Sequence, residues 1–140
     1  MSVVVRELAL HMLLELLPKL DARHREEIIR SHGDLERWAV DRCSQSGMAW
    51  GLYVRNELVG VGGVISHGDT GHLWLAGAEG FRDYIRHAIR VTRDLFTAGI
   101  YQRFECTCFA DNEPAQRFAE YLGFRRGDVR DGLIHYGRTP

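Results

Sequence analysis

The chain has 140 residues, the length of one folding domain, and can bury a real core without disulfide staples. With 45% apolar and 26% charged residues and a formal net charge of -1, it is not a disordered tail, a fibrous repeat or a protein drawn to nucleic acid by bulk charge. No apolar run approaches the ~20 residues of a membrane span, and Arg6 and Glu7 interrupt the N-terminal apolar stretch early, against a secretory signal.

Val3 to Leu8 is a β-branched run and reads as a strand. Leu10 to Leu17 is apolar and helical up to Pro18. Asp21 opens a charged helix over Ala22 to Arg30, broken by Gly33. Asp34 is a good N-cap for Leu35 to Cys43, which Ser46-Gly47 ends. Ala49 to Val54, Leu58 to Ser66 and His72 to Ala76 read as a three-stranded antiparallel meander. Its turns fall at Arg55-Asn56-Glu57 and at His67 to Gly71.

The period then lengthens. Phe81 to Ala98 reads as one long helix, with Phe81, Ile85, Ala88, Thr92, Leu95 and Phe96 on its apolar face. Arg82, Arg86, Arg90 and Arg93 fall on the opposite, solvated stripe. Gln102 to Phe109 is a strand and Asn112 to Leu122 a helix, with Pro114 in its first turn and Gly123 at its end. Phe124 to Val129 and Leu133 to Tyr136 close the chain around Asp131-Gly132. The order predicts a single α/β (α+β) domain over residues 1–140, a mixed and mostly antiparallel sheet flanked by helices on both faces. The strands at Trp74 and Cys106 are expected to run parallel through the long crossover helix. The expected core includes Phe81, Ile85, Leu95, Phe96, Phe118 and Leu122.

Three cysteines, two of them at Cys106 and Cys108 on one strand face, read as buried free thiols. His67 and His72 flank a turn and can meet across a hairpin, yet no histidine pair or Cys-x-x-Cys spacing marks a metal site. Gly60-Val61-Gly62-Gly63 lies inside a strand, so it reads as a place of close approach by another element rather than as a phosphate loop.

The element order resembles that of the GNAT N-acetyltransferase fold. The sharpest local match is Asp111-Asn112-Glu113-Pro114-Ala115-Gln116-Arg117-Phe118-Ala119-Glu120-Tyr121-Leu122-Gly123-Phe124, similar to that fold's late strand–helix unit. The resemblance implies a cofactor-region contact for Asn112 and protonation of the coenzyme A thiolate by Tyr121. It also implies that backbone N–H groups around Gly77 and Gly80 hold the pyrophosphate at a helix start. Here the segment Trp74 to Asp83 departs from the family pattern. The loop is short, no basic residue precedes the glycines, and Glu79 brings a negative charge. No general base stands in an obvious place: His72 and Glu57 lie near the central strands, and either reads equally well as a surface turn residue.

The chain also resembles small phage proteins of the internal virion protein A type. The likeness rests on Asp21 to Glu27, Ser44-Gln45-Ser46, Ala49 to Leu52, Gly62-Gly63, the short Trp74 to Gly77 segment and Val129 to Gly132. That resemblance implies a virion-associated or morphogenesis protein in the host cytoplasm or the phage particle. It would work by protein–protein contacts with other particle components and with no cofactor; the overall charge separately argues against nucleic acid as a partner. The alternative is an acetyl-CoA-dependent N-acyltransferase, with Tyr121 as general acid and Gly77 and Gly80 at the cofactor.

Overall fold

The computed structural model describes residues 2–139. Strand β1 (Val3–Glu7) leads into α1 (Leu10–Leu16), which tightens to a 3-10 turn at Leu17–Lys19 where Pro18 cannot continue the α ladder. Helices α2 (Ala22–His32) and α3 (Leu35–Gln45) follow. Each is N-capped by an aspartate: Asp21 accepts from the Arg23 N–H and Asp34 from the Arg37 N–H. Strands β2 (Ser46–Val54), β3 (Glu57–His67) and β4 (Thr70–Gly77) come next, then α4 (Ile85–Thr97), β5 (Arg103–Phe109), α5 (Glu113–Tyr121), β6 (Arg125–Arg130) and β7 (Leu133–Arg138).

The strands form one seven-stranded sheet in the order β1-β2-β3-β4-β5-β7-β6. The β1–β2, β2–β3, β5–β7 and β6–β7 pairs are antiparallel. β4 and β5 are parallel, in register from Thr70↔Arg103 to His72↔Glu105. The expected crossover therefore holds. Arg55 and Asn56 (φ 51° and 67°), and likewise Asp131 and Gly132 (54° and 75°), both take positive φ, the backbone of tight hairpin turns.

The chain divides into two compact units. The first comprises residues 1–65 and 74–88. Its core gathers Leu13, Leu16, Trp38, Leu58, Val61 and Trp74, with the indoles of Trp38 and Trp74 edge to face at 5.8 Å. The triple-glycine stretch of β3 is here. A Cβ on Gly60 would meet the Phe81 ring, one on Gly62 the Trp50 indole, and one on Gly63 the Met48 carbonyl and Trp74. These glycines admit close-packed rings, as expected for a crossed strand.

The second unit comprises residues 66–73 and 89–140. Phe104 is fully buried, with the rings of Phe96 and Tyr101 at 4.7 and 5.6 Å, and Phe124 packs on Phe96 at 5.7 Å. The Arg138 guanidinium lies 4.0 Å from the Phe96 ring centre while its Nε donates to the Leu122 carbonyl.

Two expectations need correction. The long helix does not begin as an α-helix at Phe81: residues 81–84 form a 3-10 turn, and α4 starts at Ile85. Gly80 turns the chain sharply, and the tighter spiral lets the Phe81 ring fold back on the strand it has just left. Of the expected core, Phe81, Leu95, Phe96 and Leu122 are buried, but Ile85 and Phe118 are only half-buried. Ile85 sits at the change of helix type, and the small Ala119 is the residue of α5 that is fully enclosed. Arg82, Arg86, Arg90 and Arg93 are exposed, as their spacing predicts.

Candidate functional site

In the first unit, β4 ends in a turn whose backbone groups fall into two classes. Gly77 and Ala78 are fully engaged. The Gly77 N–H donates to Nδ1 of His24 at 2.9 Å, and its carbonyl accepts from the Asp21 N–H, also at 2.9 Å. The Ala78 N–H donates to the Val59 carbonyl, and Ala78 bridges to Leu20. A side chain at Gly77 would force the Phe81 ring to shift, because its Cβ would lie 2.2 Å from the ring.

Glu79 and Gly80 differ. Gly80 is exposed with φ +87°, and the turn closes through Phe81 N–H to Ala78 carbonyl and Asp83 N–H to Gly80 carbonyl, both 3.0 Å. Among the described residues, the Glu79 and Gly80 N–H groups have no backbone acceptor. Such donors at a strand-to-helix turn suit an anionic oxygen. Arg82 and Arg86, one helical turn apart and exposed, add positive charge just beyond. The Glu79 and Asp83 carboxylates oppose an anion; all four side chains are exposed, so solvent screens both signs alike and the backbone donors carry the fit. The donor set therefore fits a diphosphate at Glu79–Gly80. The resemblance implied this role for Gly77 and Gly80 together; the Gly77 N–H is occupied by His24.

In the second unit, Asn112 is buried and caps α5, its Oδ1 accepting from the Ala115 N–H at 3.2 Å. Gln116 Nε2 donates to the Phe109 and Ala110 carbonyls and fixes the strand-to-helix passage. Tyr121 lies at the other end of α5, 63% exposed, with the Arg93 guanidinium 5.2 Å from its ring centre. The two residues are separated by the length of the helix, about 13 Å at 1.5 Å per residue, so α5 does not bring them together.

The same unit holds a paired histidine. His72 Nδ1 is 3.3 Å from Glu105 Oε1, in cross-strand register. A carboxylate only accepts, so Nδ1 carries a proton in this pair. The other candidate base, Glu57, is exposed at the first position of β3. The His67 and His72 rings meet edge to face at 6.4 Å, as the hairpin reading anticipated. Ser66, near the end of β3, shares a hydroxyl–hydroxyl hydrogen bond with Tyr101, which precedes β5.

Glu105 and His24 were not legible as site residues. Glu105 is an ordinary strand position until the β4–β5 register is known, and His24 reads as one more polar residue of a charged helix. Among the described residues no group of three or more His, Cys, Asp or Glu side chains is placed to hold a metal. The cysteines are free, as expected. A hydrogen bond with Cys108, then burial, hold the Cys106 thiol far above its ordinary pKa of 9.0, so it stays protonated and unreactive. No helix among the described residues is long and apolar enough to cross a membrane.

No family model matches the chain, and no curated protein matches its sequence. Solved structures do resemble it. The PaiA N-acetyltransferase of Thermoplasma acidophilum, in complex with coenzyme A, has a TM-score of 0.69 at 16% identity over 100% of both chains. A GNAT-family acetyltransferase from Bacillus anthracis has a TM-score of 0.70 at 13% identity, covering 99% of this chain and 95% of that one. The aminoglycoside acetyltransferase AAC(6')-Ib, in complex with coenzyme A and kanamycin, has a TM-score of 0.70 at 15% identity, again over 99% and 95%. At these identities the likeness shows the fold, and the fold is that of the GNAT acetyltransferases.

Two expectations are corrected by this comparison. A virion-associated protein without acetyl-CoA chemistry was anticipated, but the similar structures are acetyltransferases and none of the comparisons supports a phage-particle family. The expectation of no cofactor falls with it, since several of these structures hold coenzyme A. The departures in the Ala76–Gly80 loop, its shortness, its lack of a basic residue and Glu79, leave the backbone N–H groups of Glu79 and Gly80 without a backbone acceptor among the described residues.

Proposed function

We propose that this chain is an acetyl-CoA-dependent N-acyltransferase. The observation that carries the reading is the turn after β4. It offers the Glu79 and Gly80 N–H groups where a strand passes into a helix, in a fold whose solved examples include coenzyme A complexes. The coenzyme supplies an activated thioester, and an amine takes up its acetyl group. The Glu79–Gly80 N–H groups hold the diphosphate, with Arg82 and Arg86 adding charge.

His72, held by Glu105, is the side chain that takes the proton from the attacking amine. Tyr121 donates a proton to the departing sulfur, and Asn112 fixes the start of the helix that carries Tyr121. The test is coupled turnover. Purified protein with acetyl-CoA and a panel of amines, among them peptides with free N-termini, polyamines and aminoglycosides, should release free thiol and yield an acetylated product by mass spectrometry. His72→Gln should cut the rate by about 10²-fold or more, the usual contribution of general base catalysis. A panel giving no acetylated product at saturating acetyl-CoA would count against the reading.

A further inference from the structure

We propose that His24 is a positioning residue that holds the β4 turn in register for the coenzyme diphosphate, an inference that rests on the acetyl-CoA reading. His24 is the third residue of α2, 53 positions from Gly77, yet its Nδ1 takes the Gly77 N–H at 2.9 Å. Nδ1 also lies 3.2 Å from the Gly77 carbonyl oxygen. That oxygen already accepts from the Asp21 N–H, and a ring nitrogen that accepts an N–H carries no hydrogen of its own. The imidazole is thus fixed as the neutral tautomer with its proton on Nε2.

The staple has two sides. On one, the α1–α2 connection is pinned: Leu20 bridges Ala78, Asp21 caps α2, and Arg25 Nη2 donates to the Leu17 carbonyl at 2.8 Å. On the other, the Phe81 ring is packed against the Gly77 α-carbon. Gly77 is therefore clamped between His24 and Phe81, the Ala78 N–H is tied to the Val59 carbonyl, and the two N–H groups that follow, those of Glu79 and Gly80, are left without a backbone acceptor on a fixed base. Without the imidazole, the buried Gly77 N–H loses its acceptor and the turn must shift to find another. A turn that has shifted presents its two open donors at the wrong place, so the cost appears in coenzyme affinity.

The test uses three variants of the full chain. In His24→Asn the amide oxygen stands where Nδ1 stood, in His24→Gln it stands one bond further out, and His24→Ala has no acceptor. Nitrogen-15 spectra of the protein without coenzyme read the exchange of the Gly77 amide. It should be slow in the parent and in His24→Asn, and fast in His24→Gln and His24→Ala. Acetyl-CoA calorimetry should then show affinity retained in His24→Asn and lost about ten-fold in the other two, the scale of one hydrogen bond. kcat at saturating acetyl-CoA should fall much less than KM rises.

A Gly77 amide that stays protected in His24→Ala overturns the staple, whatever the coenzyme does. Failure of His24→Asn to restore both readouts overturns the assignment of Nδ1 as acceptor. If the parent protein shows the exchange pattern but binds no acetyl-CoA, the functional reading fails and takes the positioning role with it. Should His24→Ala not fold, the comparison of His24→Asn with His24→Gln decides.

Discussion

The ring of Phe81 lies directly on the α-carbon of Gly60, so close that a Cβ there would sit 2.3 Å from Cε1. The ring belongs to the turn proposed for the coenzyme, and the glycine to the middle of β3. Gly60→Ala should therefore lower stability by about 1–3 kcal/mol, the usual cost of overpacking a filled core. Thermal or urea unfolding measures it. Adding Phe81→Leu should recover part of the loss, since the two sites are in contact and their effects are not additive. A Gly60→Ala variant as stable as the parent would show that the ring does not lie there.

Phe104 and Phe118 separate two kinds of aromatic position. Phe104 is 1% exposed and enclosed by Phe96 and Tyr101, so Phe104→Ala should cost about 3–5 kcal/mol. Phe118 is half-buried on α5, and its truncation should cost clearly less, about 1–2 kcal/mol from the smaller area removed from water. Urea titration of the two variants checks the order. Equal losses would contradict the placement of α5.

Much of the fold was legible because its elements carry strong local signals. Asp21, Asp34 and Asn112 all cap the helices they precede, and Pro18 ends α1 where its missing N–H requires. The crossover between β4 and β5 followed from length and helical period alone. The site was less legible because its contacts are long-range. Neither the His24–Gly77 bond nor the His72–Glu105 pair has a local pattern, and both depend on which strands lie side by side. The turn at Glu79–Gly80 was seen, but its acidic side chain pointed the reading away from a function that backbone groups can serve.

His32 ties stability to pH. It ends α2, where burial and then the Arg42 charge hold its pKa below the ordinary 6.5, with Asp41 partly opposing. The unfolded chain thus binds this proton more tightly than the folded one. The contribution is fully present above about pH 6.5 and is lost as pH falls below it. Melting temperatures taken between about pH 7.5 and about pH 5 should fall further in the parent than in His32→Gln. Identical slopes would show that the imidazole does not feel its surroundings.

Tyr121 tests chemistry apart from stability. Its ring is 63% exposed, so Tyr121→Phe should leave the melting temperature unchanged within about 1 °C, as surface substitutions usually do. If the hydroxyl returns a proton to the leaving sulfur, kcat should drop by about 10²-fold while the KM for acetyl-CoA stays the same. An unchanged kcat would remove Tyr121 from the mechanism.

The most direct measurement is acetyl-CoA binding to the purified protein by titration calorimetry. Affinity near the micromolar range is expected, competed by free coenzyme A. Glu79→Arg should tighten it about three- to ten-fold by replacing a repelling carboxylate with a guanidinium beside the diphosphate donors. No heat of binding at millimolar acetyl-CoA, or an affinity untouched by Glu79→Arg and by Gly80→Pro, would contradict the assignment of this turn to the coenzyme.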